Sequence, residues 1–303
     1  MPELPEVETV RRGLANRLDQ FVISDLEVCR DRAIASPGGP ECFETGLINC
    51  RVGHWERRGK YLYAKLHRPG SSAETNSPEE SAGYWGVHLR MTGQFQWIEN
   101  DSPPCKHTRV RFWNAKGQEL RFVDLRSFAE MWWVPPNVAV ESIITGLKRL
   151  GPEPFSQDFK TQYLQERFKG STRSIKAALL DQSIVAGTGN IYADESLFAA
   201  GIRPETAAGQ LNRKQLDKLR ECLIEILELS IGAGGTTFSD FRDLEGVNGN
   251  YGGQAAVYRR TGQPCPRCGK AIERIKLAGR STHWCSSCQT YKFHLIAELE
   301  MER

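Results

Sequence analysis

Apolar positions along this chain recur first at helical spacing, then in strand-like alternation, then at helical spacing again. Leu4, Val7, Val10, Leu14 and Leu18 fall three or four residues apart, with Arg11, Arg12 and Arg17 on other faces. That spacing predicts an amphipathic helix entered through prolines. Alternating or β-branched runs follow at 21–28, 51–57, 61–66, 84–89, 94–98, 108–113, 119–124 and 130–134. Short strands separated by Gly, Pro and Asn predict a sandwich or barrel. Residues 70–83, rich in Ser, Glu and Pro, read as a flexible surface insertion between two of these strands.

Pro135-Pro136-Asn137 breaks the alternation, and helical spacing resumes at 158–168, 174–180, 191–199 and 212–231 before a glycine-rich loop at 232–253. The pattern divides the chain into a β-rich domain over 1–134, a linker over 135–150, a helical domain with its loop over 151–253, and a last module with a tail over 254–303. No apolar run approaches the ~20 residues of a membrane span, and the acidic, amphipathic start lacks the features of a signal peptide.

Total charge changes little in this picture: 40 Lys+Arg against 37 Asp+Glu leave a net +3. Its distribution says more. Arg259, Arg260, Arg267, Lys270, Arg274, Lys276 and Arg280 are opposed only by Glu273. Such a block suits a polyanion partner, with a solvated charged face as the plainer reading. Of nine cysteines, Cys29, Cys42, Cys50, Cys105 and Cys222 are scattered, whereas Cys265, Cys268, Cys285 and Cys288 form two CxxC pairs with sixteen residues between them. This usage points to a reducing compartment, the cytoplasm by default, and to one metal site. Two knuckles at that separation can place four thiolates around Zn2+, and a site closed by four thiolates is structural. The intervening segment should form a β-hairpin with Arg280 at or near its tip. There it could bind phosphate, or be a plain exposed arginine.

Two further features carry candidate chemistry. Methionine before a small residue is normally removed, which would leave Pro2 as a free secondary amine beside Glu3 and Glu6. A free α-amine titrates near ~8, so it is partly neutral and nucleophilic at cellular pH. An amine beside carboxylates equips a site for Schiff-base chemistry. The alternative is an ordinary helix start. Gly187-Thr188-Gly189-Asn190 joins two helices by a small-residue turn. It reads either as a phosphate site at a helix N-terminus or as simple capping by Asn190.

Taken together, the opening Pro2-Glu3-Leu4-Pro5-Glu6, the strand turn Arg58-Gly59-Lys60-Tyr61-Leu62, the turn from Val185 to Pro204 and the paired cysteines resemble, in order, the formamidopyrimidine-DNA glycosylase family. The resemblance spans nearly the whole chain. It implies an α+β multidomain fold: an N-terminal β-sandwich with flanking helices, a helix–two-turn–helix domain and a C-terminal zinc-finger β-hairpin. It implies a bifunctional glycosylase and abasic-site lyase that excises oxidised purines, acts on duplex DNA as a monomer and holds one structural Zn2+. Pro2 would attack C1′, Glu3 would manage protons, Lys60 would serve β-elimination, and Arg280 would bind phosphate and serve δ-elimination. Glu6 would frame the N-terminal site, and His107, Lys176, Asn190 and Arg260 would contact DNA. Met91, Arg126 and Phe128 would fill the gap left by a flipped base, which loop 232–253 would cap. Leu4 favours this family over endonuclease VIII, whose pattern has glycine there. An endonuclease VIII-like preference for oxidised pyrimidines, and a zinc-dependent DNA-binding protein without catalysis, are the competing readings. The chain departs from the family pattern in the 70–83 insertion, in Arg259 where glycine is usual, and in a continuation over 290–303.

Overall fold

The amphipathic start folds as α1 (Leu4–Arg17), which buries Leu4, Val7, Val10 and Leu14 on one face. The computed structural model describes residues 1–68, 80–99, 102–237 and 241–290. After α1 come β1 (Asp25–Val28), α2 (Gly39–Leu47), β2 (Arg51–Arg58), β3 (Tyr61–Arg68), β4 (Glu80–His88), β5 (Gly93–Ile98), β6 (Thr108–Trp113), β7 (Glu119–Asp124) and β8 (Glu130–Val134). They form two four-stranded antiparallel sheets, β1-β6-β7-β5 and β2-β3-β4-β8. Period-two alternation gives each sheet one apolar face, and the two faces meet. Trp85 of one sheet packs on Phe95 and Phe112 of the other, with ring centroids 5.9 and 4.5 Å apart. Burying aromatic rings of this size dominates the core's stabilisation.

Three expectations change here. The run at 21–28 is a strand only from Asp25; the residues before it make an isolated bridge, Val22 to Arg51, and single backbone bonds to two different segments rather than a ladder. The proposed insertion is shorter at its C-terminal side: Glu80 to Gly83 belong to β4, and residues 69–79 lie outside the described chain. The segment read as a linker is packed structure. It contains α3 (Val140–Ile143), and its Ile144 and Leu147 are buried with Trp132 and Val134.

The helical part comprises α4 (Thr161–Phe168), α5 (Ile175–Leu179), α6 (Asn190–Ala200) and α7 (Arg213–Gly232), and the last module is the hairpin β9 (Glu273–Leu277) and β10 (Arg280–Trp284). By contact, the chain forms two compact units: Met1–Glu153 with Leu227–Gln254, and Pro154–Ile226 with the described part of Ala255–Arg303. The sequence division follows motifs, whereas contact places most of the glycine-rich loop with the sandwich. Phe241 and Leu244 of that loop are buried in the sandwich core. Among the described residues no helix is long and apolar enough to cross a membrane.

Gly83 sits at an irregularity in the β3–β4 ladder, with φ +91° and an implied Cβ 1.9 Å from the carbonyl oxygen of Val134. Gly83→Ala should therefore destabilise the sandwich by about 2–4 kcal/mol, the cost of left-handed strain plus overpacking. Urea unfolding of the variant checks this; a midpoint equal to wild type would contradict it.

Candidate active site and nucleic-acid interface

In the first unit, Glu3 is the N-cap of α1 and Glu6 is its N3 residue, a capping box in which Glu6 Oε2 accepts the Glu3 N–H at 2.7 Å. The other oxygen, Oε1, accepts the Thr236 N–H at 2.7 Å. Glu6 thus joins the N-terminal turn to the described flank of the glycine-rich loop. Gly235 beside it has φ +82° and an implied Cβ only 3.2 Å from Glu6, so a side chain there would be strained and would crowd Glu6. Pro2, Glu3, Glu6 and Lys60 are all buried. Lys60 lies in the two-residue turn between β2 and β3, the strands against which α1 packs.

His88, at the end of β4, was not singled out from the sequence. It pairs in register with Tyr61, next to Lys60, and the two rings pack edge to face at 4.4 Å. Its Nδ1 accepts the Arg90 N–H at 3.0 Å, which places the ring proton of the neutral imidazole on Nε2. Burial, with the charges of Arg90 and Lys60, pushes its pKa down to about 3. A histidine closing an apolar strand was the only signal in the sequence.

Met91, Arg126 and Phe128 lie on two loops tied to each other. Thr92 Oγ1 donates to Asp124 Oδ1 at 2.5 Å and accepts the Arg126 N–H at 3.0 Å. Asp124 Oδ2 accepts the Ala129 N–H at 2.8 Å. This buried carboxylate closes the loop, and Ser127 adopts φ +55° at its tip. Phe128 is 44% exposed, and the Arg126 guanidinium lies 5.0 Å from its ring centroid. Met91 is half-buried. His107 is half-buried at the start of β6, its Nδ1 3.5 Å from Arg109 Nη2.

In the second unit, the Cys265 and Cys288 sulfurs lie 3.8 Å apart and those of Cys268 and Cys285 3.5 Å. All four lie within 4.8 Å of one another. Thiolates about 2.3 Å from a tetrahedral zinc stand about 3.8 Å apart, so the cluster fits Zn2+. The hairpin turns through Ala278 and Gly279, both at positive φ, and Arg280 follows, exposed. Asn190 is the first residue of α6 rather than its cap, and its Nδ2 donates to the Ser281 carbonyl at 2.9 Å.

Two residues expected to contact DNA are held by protein groups in this structure. Lys176 is 0% exposed. Its Nζ pairs with Asp194 at 2.6 Å and donates to Ser281 O and Thr282 Oγ1, each at 2.8 Å. A charge so buried has to be paired, and this one braces the hairpin next to Arg280. Arg260 donates to the carbonyls of Ala255, Ala256 and Pro264 and to Gln263, so it clasps the zinc module. Asp194 and Glu195 are the residues missed here. Asp194 Oδ2 accepts the His283 N–H, and Glu195 accepts those of Ala256, Val257 and Tyr258. Two adjacent acids in a helix buried on all sides from Ile191 to Phe198 were the signal. Arg259 takes φ +58°, which explains why glycine suits its position.

Three family models match in order: the formamidopyrimidine-DNA glycosylase N-terminal domain over residues 1–131, the formamidopyrimidine-DNA glycosylase H2TH domain over 150–242, and the zinc finger found in FPG and IleRS over 262–290. The chain belongs to the formamidopyrimidine-DNA glycosylase family. It is 67% identical over 289 residues to the formamidopyrimidine-DNA glycosylase of Parasynechococcus marenigrum, covering 95% of this chain and 100% of that one. Among solved structures it resembles a Lactococcus lactis FPG mutant in complex with Fapy-dG-containing DNA, with TM-score 0.84, 35% identity and coverage of 96% and 100%. It also resembles the Lactococcus lactis Fpg in complex with abasic-site DNA, with TM-score 0.83, 35% identity and coverage of 95% and 100%.

The depressed pKa of His88 has a consequence for stability. The unfolded chain takes up a proton near pH 6.5, but the folded chain does so only near 3. The contribution is complete above pH 6.5 and is lost as pH falls through that window, at up to about 1.4 kcal/mol per pH unit. Urea unfolding at pH 7 and pH 5 should show a smaller stability loss in His88→Gln than in wild type. Equal losses would refute the assignment.

Zinc should hold the second unit's hairpin. Cys268→Ser should lower bound zinc below one equivalent and open the hairpin to protease, with the sandwich intact because its core is separate. Metal analysis with limited proteolysis reads both; a zinc-free protein with a protected hairpin would contradict the role.

Proposed function

We propose that this protein excises oxidised purines, chiefly 8-oxoguanine and formamidopyrimidines, from duplex DNA and cleaves the strand at the abasic site by β,δ-elimination. The observation that carries the reading is the buried start of α1, where Pro2 precedes two buried carboxylates in a capping box. With Met1 removed, the Pro2 nitrogen attacks C1′ and forms the C1′–N bond. The base leaves with the glycosidic electron pair and takes a proton. Ring opening then gives the iminium, with Glu3 moving protons during base loss and opening. Lys60 serves as acid/base while the C2′ proton is lost and the 3′ phosphate departs. Arg280 binds the lesion's phosphates and serves the second elimination, and Asn190 and His107 contact phosphate nearby. Zn2+ on Cys265, Cys268, Cys285 and Cys288 keeps the Arg280 hairpin folded.

The loops carrying Met91, Arg126 and Phe128 support insertion into the duplex. Their side chains stand on polar-anchored turns, and an exposed phenylalanine stacked under an arginine suits the gap left by a flipped base. Arg126 reads the orphaned partner base through paired donors. The scattered cysteines are free thiols, which supports a reducing location, the cytoplasm.

Borohydride trapping on an abasic-site duplex tests the chemistry. The adduct's linked peptide should begin at Pro2, and protein retaining Met1 should form none. Full lyase activity from Met1-retaining protein would refute the mechanism. Excision of 8-oxoguanine should exceed that of thymine glycol; the reverse order would favour the endonuclease VIII-like reading.

A further inference from the structure

The residue before Lys60 has both of its backbone polar groups held by side chains. Glu153 Oε1 accepts the Gly59 N–H at 2.6 Å, and Arg57 Nη1 donates to the Gly59 carbonyl at 3.0 Å. The two clamping groups hold each other: Arg57 Nη2 donates to Glu153 Oε2 at 2.8 Å. Arg58 reinforces the contact, donating to Glu153 Oε1 at 3.1 Å and to the Gly151 carbonyl at 2.6 Å. On its other side, Arg57 Nε reaches Glu8 Oε2 on α1 at 3.2 Å. Arg11 and Arg12 each hold Glu8 Oε1 at 2.9 Å. The pairs at the centre of the network are not surface pairs: the side chains of Arg57, Glu8 and Glu153 are 10%, 12% and 19% exposed.

We propose that Glu153 and Arg57 are positioning residues for Lys60, fixing the Gly59–Lys60 turn and, through Glu8, its register on the helix that begins with Pro2 and Glu3. The inference rests on the reading of Lys60 as the acid/base of β-elimination. Gly59 is left-handed at φ +58°, in a turn whose two peptide planes would otherwise be free to tilt. A network that merely stabilised the sandwich would need only the arginine–glutamate contacts. Here the same groups also seize the peptide from which the Lys60 side chain projects. Charge-assisted bonds of this kind are short and directional. Tyr61 fixes the far side of Lys60 by its packing on His88. Lys60 is thus bracketed by one polar clamp and one aromatic contact.

The test uses single-turnover cleavage of a duplex with a preformed abasic site. Glu153→Ala should slow β-elimination by about 10- to 100-fold, the scale of a misplaced catalytic group, with the half-saturating enzyme concentration unchanged. The borohydride-trapped Pro2 adduct should still form at the wild-type rate, because iminium formation does not use Lys60. The isosteric Glu153→Gln keeps an acceptor for Gly59 but loses the charge that grips the arginines, so it should fall between; it carries the test if the alanine variant does not fold. In a Lys60→Ala background, adding Glu153→Gln or Glu153→Ala should slow the reaction no further. Full additivity with Lys60→Ala, or equal slowing of trapping and elimination, would overturn the positioning role. Undiminished elimination by Lys60→Ala alone would instead overturn the Lys60 assignment, and this inference with it.

Discussion

A carboxylate taken out of water must be met by donors, or burying it is prohibitively unfavourable. In this chain the donors are repeatedly backbone N–H groups of loops and of the Arg280 hairpin. Glu6 accepts from Glu3 and Thr236, and Asp124 from Arg126 and Ala129. Glu195 accepts from Ala256, Val257 and Tyr258, and Asp194 from His283. A loop held this way needs no apolar core of its own. It can leave residues such as Phe128 and Arg280 in solvent while its backbone stays fixed. The same carboxylates are vulnerable points, because removing one strands several buried donors at once, each costing about 1–3 kcal/mol.

Some of the left-handed backbone lies beside candidate functional side chains. Arg90 and Ser127 take positive φ beside Met91 and Phe128, and Ala278 does so two residues before Arg280. Left-handed backbone costs an ordinary L-residue roughly 1–2 kcal/mol. The hydrogen bonds that over-determine these turns offset that cost.

Much of the fold was legible because burial imposes a period. The runs at 108–113, 119–124 and 130–134 are strands over those residues, and α1 starts and stops within a residue of its apolar spacing. α2 escaped notice because its sequence, GPECFETGL, has two glycines, a proline and few apolar residues; only Phe43, Gly46 and Leu47 are buried. The four-cysteine cluster and the hairpin bearing Arg280 could be read from spacing, since both are local. Lys176 and Arg260 could not. For Lys176 the deciding partners, Asp194 and Thr282, are distant in sequence; for Arg260 the carbonyls of Ala255, Ala256 and Pro264 are near in sequence, and only the turns of the zinc module bring them to the guanidinium. His88 was obscured in the same way, its neighbours being set by strand pairing.

The Ser281 carbonyl, which receives both Lys176 and Asn190, bears on the thermodynamics of gripping an anion. Ordering a residue's backbone costs roughly 1–2 kcal/mol of conformational entropy. Beside Arg280 that ordering is complete once the chain has folded. What remains on binding is the side chain's own rotamer freedom, about 2 kcal/mol for arginine. An arginine on a slack loop would lose both together, and its hold on a phosphate would weaken by the difference.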